Sequence, residues 1–154
     1  MQWADVIDNP YFKNLPFKIE LNRFGQVLMS PASNQHGNLE YRVGRALERG
    51  CPPGEIIIEC SIKTTDGVKV ADVVWASAAF IQQYGYSTPY PQAPEICVEI
   101  ISPSNTDEEM RIKIDLYLAQ GAQEVWLVNT ATKVRFFNNQ GEQNKSQWLD
   151  NVTL

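Results

Sequence analysis

The 154-residue chain has no long apolar run, one histidine, three cysteines without a C-x-x-C spacing, and no excess of positive charge. Each absence excludes something. A membrane-spanning helix needs about 20 consecutive apolar residues, and no stretch approaches that length. The opening MQWADVIDNPYF carries acids where a secretory signal has a basic and then an apolar segment, so it does not read as one. Cys51, Cys60 and Cys97 are odd in number and are spaced for neither a zinc site nor a disulfide frame. They point to a reducing, cytoplasmic setting, with Cys60 and Cys97 as core residues. A net charge of -5 argues against a protein that coats nucleic acid non-specifically. It leaves room for an enzyme with a local basic surface. Arg42, Arg45 and Arg49 recur at helical spacing, and a solvated helix face is the simpler reading of them. The chain has no repeat, no low-complexity segment and no convincing linker, so residues 1–154 are expected to form a single domain.

What is present is a regular alternation of strand and helix patterns. Residues 17–29, FKIELNRFGQVLM, read as two strands around a turn at Arg23–Gly25. His36–Arg49 reads as a helix with an apolar stripe of Leu39, Val43, Ala46 and Leu47. Ser33 or Asn34 caps it, and Gly50 with Pro52 stops it. Ile56–Lys63 and Val68–Trp75 are apolar strands joined by a tight turn at Asp66–Gly67. A short helix is expected around Ala78–Tyr84. Ile96–Ile101 is a central strand, apolar on both faces except at Glu99. Thr106 or Asp107 caps a helix running to about Gln120, and Gly121 ends it. Val125–Asn129 and Val134–Asn138 are further strands, with Gln140–Gly141 as a turn. Strand, helix and strand at this spacing make a crossover between parallel strands. The expected class is therefore α/β, a mixed sheet flanked by helices.

Two acids break the apolar pattern. Asp72 sits within KVADVVWAS and Glu99 within ICVEII. Charge inside a core strand is costly unless compensated. Two carboxylates close together would repel, and one would stay protonated. A divalent cation relieves this, since magnesium and manganese favour oxygen ligands and retain waters. Such an ion can activate water for attack on a phosphodiester, and a lysine can orient that water or steady the charged phosphate.

The residues Ala71-Asp72-Val73, then Pro94-Glu95-Ile96-Cys97-Val98-Glu99-Ile100-Ile101-Ser102-Pro103-Ser104, carry a resemblance to the PD-(D/E)XK nuclease superfamily. Together with Lys113, Tyr117, Gly121 and Glu124-Val125-Trp126-Leu127-Val128, they resemble more closely the bacterial putative restriction endonuclease family, formerly a domain of unknown function. The likeness extends more weakly upstream and covers most of the chain. It implies a restriction-endonuclease-like fold and a metal-dependent endonuclease that hydrolyses DNA with Mg2+ or Mn2+. By this resemblance Asp72 matches the metal-binding aspartate and Glu99 the acid of the (D/E)XK element. Ile101 stands where the superfamily has its lysine, and Lys113 on the next helix matches the lysine that substitutes in this family. Ala71 replaces the proline of the superfamily pattern, which shapes the strand and does no chemistry. Superfamily members often add an acid from the first helix. Glu40 is the candidate, and Glu20 in the first strand competes with it.

Plainer readings stand beside these. Asp72 could be a strand-end acid bonded to backbone, and Glu99 could be ion-paired with Lys113. His36 reads as a helix-start residue ahead of a base or ligand. Ser102 and Ser104 read as turn and capping residues with no histidine-based nucleophile arrangement around them. Trp126 is core. Tyr84, Tyr86 and Tyr90 could stack bases or cover a sheet edge. A nuclease-like scaffold that no longer cuts, serving as a binding or regulatory module, is the alternative function. DNA is the expected partner and a membrane is not. A homodimer would suit the cutting of two strands, with no interface named.

Overall fold

A computed structural model describes all residues 1–154. Eight strands form one sheet: β1 (Phe17–Leu21), β2 (Val27–Pro31), β3 (Gly54–Thr64), β4 (Gly67–Ser77), β5 (Ile96–Ile100), β6 (Glu124–Val128), β7 (Val134–Asn138) and β8 (Gly141–Gln143). The helices are α1 (Trp3–Ile7), α2 (Asn34–Gly50), α3 (Ala78–Tyr84) and α4 (Asp107–Ala119). The strand order is β2-β1-β4-β5-β6-β7-β8, with β3 also paired to β4. Only β5 and β6 run parallel, joined through α4 as the crossover pattern requires. No helix is long and apolar enough to cross a membrane.

Capping fixes the helices that matter. The Ser33 side chain accepts from the His36 amide and starts α2. Thr106 and Glu109 form a reciprocal capping box at the start of α4, where Asp107, Glu108 and Glu109 also suit the positive end of the helix dipole. The sheet is packed on both faces. One face buries Leu39, Val43 and Leu47 of α2 against Val73, Trp75, Ile96, Val98 and Trp126. The other buries Met110, Ile114 and Tyr117 of α4 against Val74, Cys97, Val125 and Leu127. Each fully buried aliphatic side chain contributes about 1.5–3 kcal/mol. Glu124 is buried at the start of β6 and accepts from the Trp126 indole and the Ser146 hydroxyl, both at 2.8 Å. Those bonds tie the C-terminal segment to the sheet, where Leu149 joins the α2 side.

Strand β4 is the organising element. Val68 pairs with Lys63 of β3 on one edge and with Leu21 of β1 on the other. Val73 pairs with Ile58 of β3 on the first edge and with Val98 of β5 on the second. Strands β1 and β5 therefore share one edge of β4 and part around residues 69–72. Side chains bridge that gap. Glu20 of β1 accepts from the Val70 amide at 2.8 Å, and Asp72 accepts from the Ile100 amide at 2.7 Å.

The β3–β4 hairpin does not keep a plain alternation of faces along its length. Ile56 packs on the α2 side, yet Cys60 and Ile62, two and three alternations later, pack on the α4 side. In β4 the odd-numbered Ala71 lies with the α4 group, while Val73 and Trp75 lie with α2. The reversal centres on Glu59, whose φ is 52°, at the break in pairing between Ile58–Val73 and Cys60–Ala71. A left-handed residue in one strand turns the following side chains to the other face. Helix α1 and strand β8, both short, were not expected from the sequence pattern.

Candidate functional site

The parting of β1 and β5 gathers charged side chains from five elements. Asp72 and Glu99 are almost fully buried, at 1% and 2% exposure. Lys18 of β1 lies between them, with Nζ 2.7 Å from Asp72 Oδ1 and 3.2 Å from Glu99 Oε2. Lys113 of α4 donates to Glu99 at 3.2 Å and to Glu20 Oε1 at 2.9 Å. The Tyr117 hydroxyl donates to Glu99 Oε1 at 2.7 Å. On the other side of Asp72, His36 Nε2 is 3.2 Å from Asp72 Oδ1 and 3.4 Å from Glu40 Oε1.

Local structure explains each position. His36 and Glu40 are four residues apart on α2, so they share a face. Lys113 and Tyr117 have the same spacing on α4 and converge on Glu99. Asp72 is pinned through Oδ2 by the Ile100 amide, which leaves Oδ1 to the lysine and the histidine.

The electrostatics follow from burial and pairing. Burial would raise the Asp72 carboxyl, but the charges of Lys18 and His36 and their hydrogen bonds hold it below its usual range. Burial dominates at Glu99 and raises it, against the pull of Lys113 and Lys18, with Asp72 and Glu20 adding repulsion. Glu20 is lowered: burial is outweighed by Lys113, Lys18 and the Val70 amide. Burial alone would lower the Lys18 ammonium, but Glu99, Asp72 and Glu20 hold it above its ordinary value. His36 rises to about 10 through its hydrogen bonds to Asp72 and Glu40, opposed by partial burial.

The structure brings Asp72, Glu99 and Lys113 together. The ion pair between Glu99 and Lys113 is present, and so is the backbone bond to Asp72. Both candidates for a third acid are near: Glu40 beside His36 and Asp72, and Glu20 beside Lys113. Two residues stand out: Lys18, which the sequence pattern did not single out, and His36, which was read first as a helix-start residue. Lys18 looks like the solvent-facing lysine of a hairpin, and nothing local signals that its partners lie 54 and 81 residues away. His36 does start α2, as expected, and its ring also reaches the acids. Of the tyrosines, Tyr90 is buried and donates to the Gly85 carbonyl at 2.8 Å, while Tyr86 is exposed. Ser102 bonds Asn105 and Ser104 within the turn, in keeping with a turn role.

A nitrogen and several carboxylate oxygens converge here, and His36, Glu40 and Asp72 present ligand atoms within 4.8 Å of one another. Residues 7–151 match the model of the family Uma2, described as putative restriction endonuclease. A crystal structure of a putative nuclease belonging to DUF820 from Anabaena variabilis superposes with a TM-score of 0.73 at 16% identity. The match covers 93% of this chain and 83% of that one. At that identity it shows a shared fold. Comparison with the curated proteins gives no match.

Proposed function

We propose that this chain, which belongs to the Uma2 family of putative restriction endonucleases, is a metal-dependent endonuclease hydrolysing DNA phosphodiester bonds. The observation that carries the reading is the convergence of Asp72, Glu99 and Lys113 at the parting of β1 and β5. The donor set fits a hard divalent cation. Two buried carboxylates are held close enough for a single ammonium to bridge them, and Glu40 adds a third acid next to Asp72. Asp72, Glu99 and Glu40 would hold Mg2+ or Mn2+, which supplies charge stabilisation at phosphate and an acidified water.

The protein groups do the rest. The Ile100 amide orients the Asp72 carboxylate. Tyr117 and Lys113 orient Glu99. Lys113 positions the attacking water or stabilises negative charge building on the phosphate. Glu20 holds Lys113 from the β1 side. The whole chain acts as one domain in this reading.

One observation favours a second reading, in which the fold is a binding or regulatory module that does not cut. Lys18, Lys113 and His36 already offset the charge of Asp72, Glu99 and Glu20, so the cluster is compensated without a metal. The experiment that separates the two is incubation of supercoiled plasmid with Mn2+ and tag-free protein, wild type beside Lys113→Ala. Nicking by wild type that disappears in the variant and in chelator supports the nuclease. Equal residual nicking in both marks a contaminant and favours the module.

A further inference from the structure

We propose that His36 is a direct ligand of the metal ion, joining Asp72, Glu40 and Glu99 and making the centre a mixed nitrogen–oxygen site. The inference rests on the metal-dependent reading above and extends it to the ligand set and the class of ion.

The imidazole sits at ligand spacing from both carboxylates. His36 Nε2 lies 3.2 Å from Asp72 Oδ1 and 3.4 Å from Glu40 Oε1. In an octahedron with bonds of about 2.1–2.2 Å, adjacent ligand atoms are about 3.0–3.1 Å apart. The two edges that meet at His36 are close to that spacing, and the third, between Asp72 and Glu40, lies within 4.8 Å. The remaining positions are left for Glu99, water and phosphate.

The site is also built. The Ser33 cap fixes the His36 backbone in the first turn of α2. The four-residue spacing puts His36 and Glu40 on one face of the helix. The Ile100 amide holds Asp72 Oδ2, so Oδ1 faces the imidazole at 3.2 Å and the Lys18 ammonium at 2.7 Å, which an ion would displace. Asp72 is buried, while the His36 and Glu40 side chains keep 19% and 14% exposure, which gives an ion a path from solvent. On the far side of Asp72, Lys18 bridges Asp72 Oδ1 to Glu99, where Lys113 and Tyr117 also converge.

An imidazole donor changes the preferred ion. Magnesium favours all-oxygen sets, whereas imidazole suits later first-row metals, and affinity at a shared site rises from Mn2+ to Co2+ and beyond. The site is expected to select Mn2+ or Co2+ over Mg2+.

His36 is the chain's one histidine, so an imidazole signal in tag-free protein has a single source. The test is pulsed electron paramagnetic resonance of wild-type protein loaded with Mn2+, with Mn2+ and Mg2+ affinities measured by calorimetry. The expected result is 14N modulation from a coordinated imidazole. His36→Ala should lose that modulation and at least about tenfold in Mn2+ affinity, the least that disturbing even an outer-shell partner of a metal ligand typically costs. Mn2+ binding by wild type with no 14N modulation overturns the inference and leaves the metal-dependent reading standing. Absence of any Mn2+ binding overturns both.

Discussion

Lys18→Met removes the charge that bridges Asp72 and Glu99 while keeping most of the aliphatic stem. In the metal-free protein, Asp72, Glu99 and Glu20 are three buried carboxylates, and Lys18, Lys113 and His36 are the cations in contact with them. The variant leaves three acids facing two cations. Removing one partner of a buried ion pair costs about 3–5 kcal/mol, because the other charge stays buried and uncompensated. For a chain of this size each kcal/mol moves Tm by about 2–4 °C, so a fall of roughly 10 °C is expected. A divalent cation on the same carboxylates supplies the missing positive charge. It also binds without competing against an ammonium 2.7 Å from Asp72 Oδ1. At a concentration 100 times its Kd, such a ligand stabilises by about 2.7 kcal/mol. The assay is thermal denaturation followed by circular dichroism, with and without millimolar Mn2+. The expected pattern is a low Tm for metal-free Lys18→Met and a larger Mn2+-induced rise than in wild type. A metal-free Tm within 2 °C of wild type, taking about 1 kcal/mol as 2–4 °C, would refute the electrostatic reasoning. An equal Mn2+ response in both proteins would refute the exchange of ammonium for metal.

Three further outcomes are expected. In metal-free protein the His36 ring, raised to about 10 by Asp72 and Glu40, should show its NMR titration well above neutrality. The stability that this pairing gives is fully present below the ordinary pKa of 6.5 and is lost as pH rises through about 10; a midpoint near 6.5 would contradict the pairing. Tyr117→Phe removes the 2.7 Å bond to Glu99 from a buried position and should cost about 1.5–3 kcal/mol in urea unfolding, as for hydrogen bonds to charged groups. No loss would mean that the lysines satisfy Glu99 alone. Glu59→Gly relieves a left-handed side chain worth about 1–2 kcal/mol and adds back about 0.5–1 kcal/mol of chain entropy, so its stability should be unchanged or slightly higher. Glu59→Val should be clearly destabilising, and equal stability of the two variants would show that the φ of 52° carries no strain.

Much of the frame was legible in the sequence because it rests on local chemistry. The stripe of Leu39, Val43 and Leu47, the Ser33 and Thr106 caps, and the apolar run around Glu99 announce α2, α4 and β5. The acids Asp72 and Glu99 were legible because charge is conspicuous in an apolar strand. Lys18 was not, since a lysine in an alternating hairpin strand is ordinary. Only the packing of β1 against the same edge of β4 as β5 turns it inward. The reach of His36 to Asp72 likewise depends on how α2 lies on the sheet. The reversal at Glu59 had no glycine to mark it. Short elements such as α1 and β8 carry too few residues for a periodic signal.

The most direct measurement is the single-turnover cleavage rate of a DNA duplex as Mn2+ is varied, set beside Mn2+ occupancy from calorimetry under the same conditions. If the cluster is a metal-dependent nuclease centre, rate and occupancy half-saturate together, and the double change Asp72→Asn with Glu99→Gln abolishes both. Saturable Mn2+ occupancy with no cleavage, or cleavage that survives the double change, would contradict it.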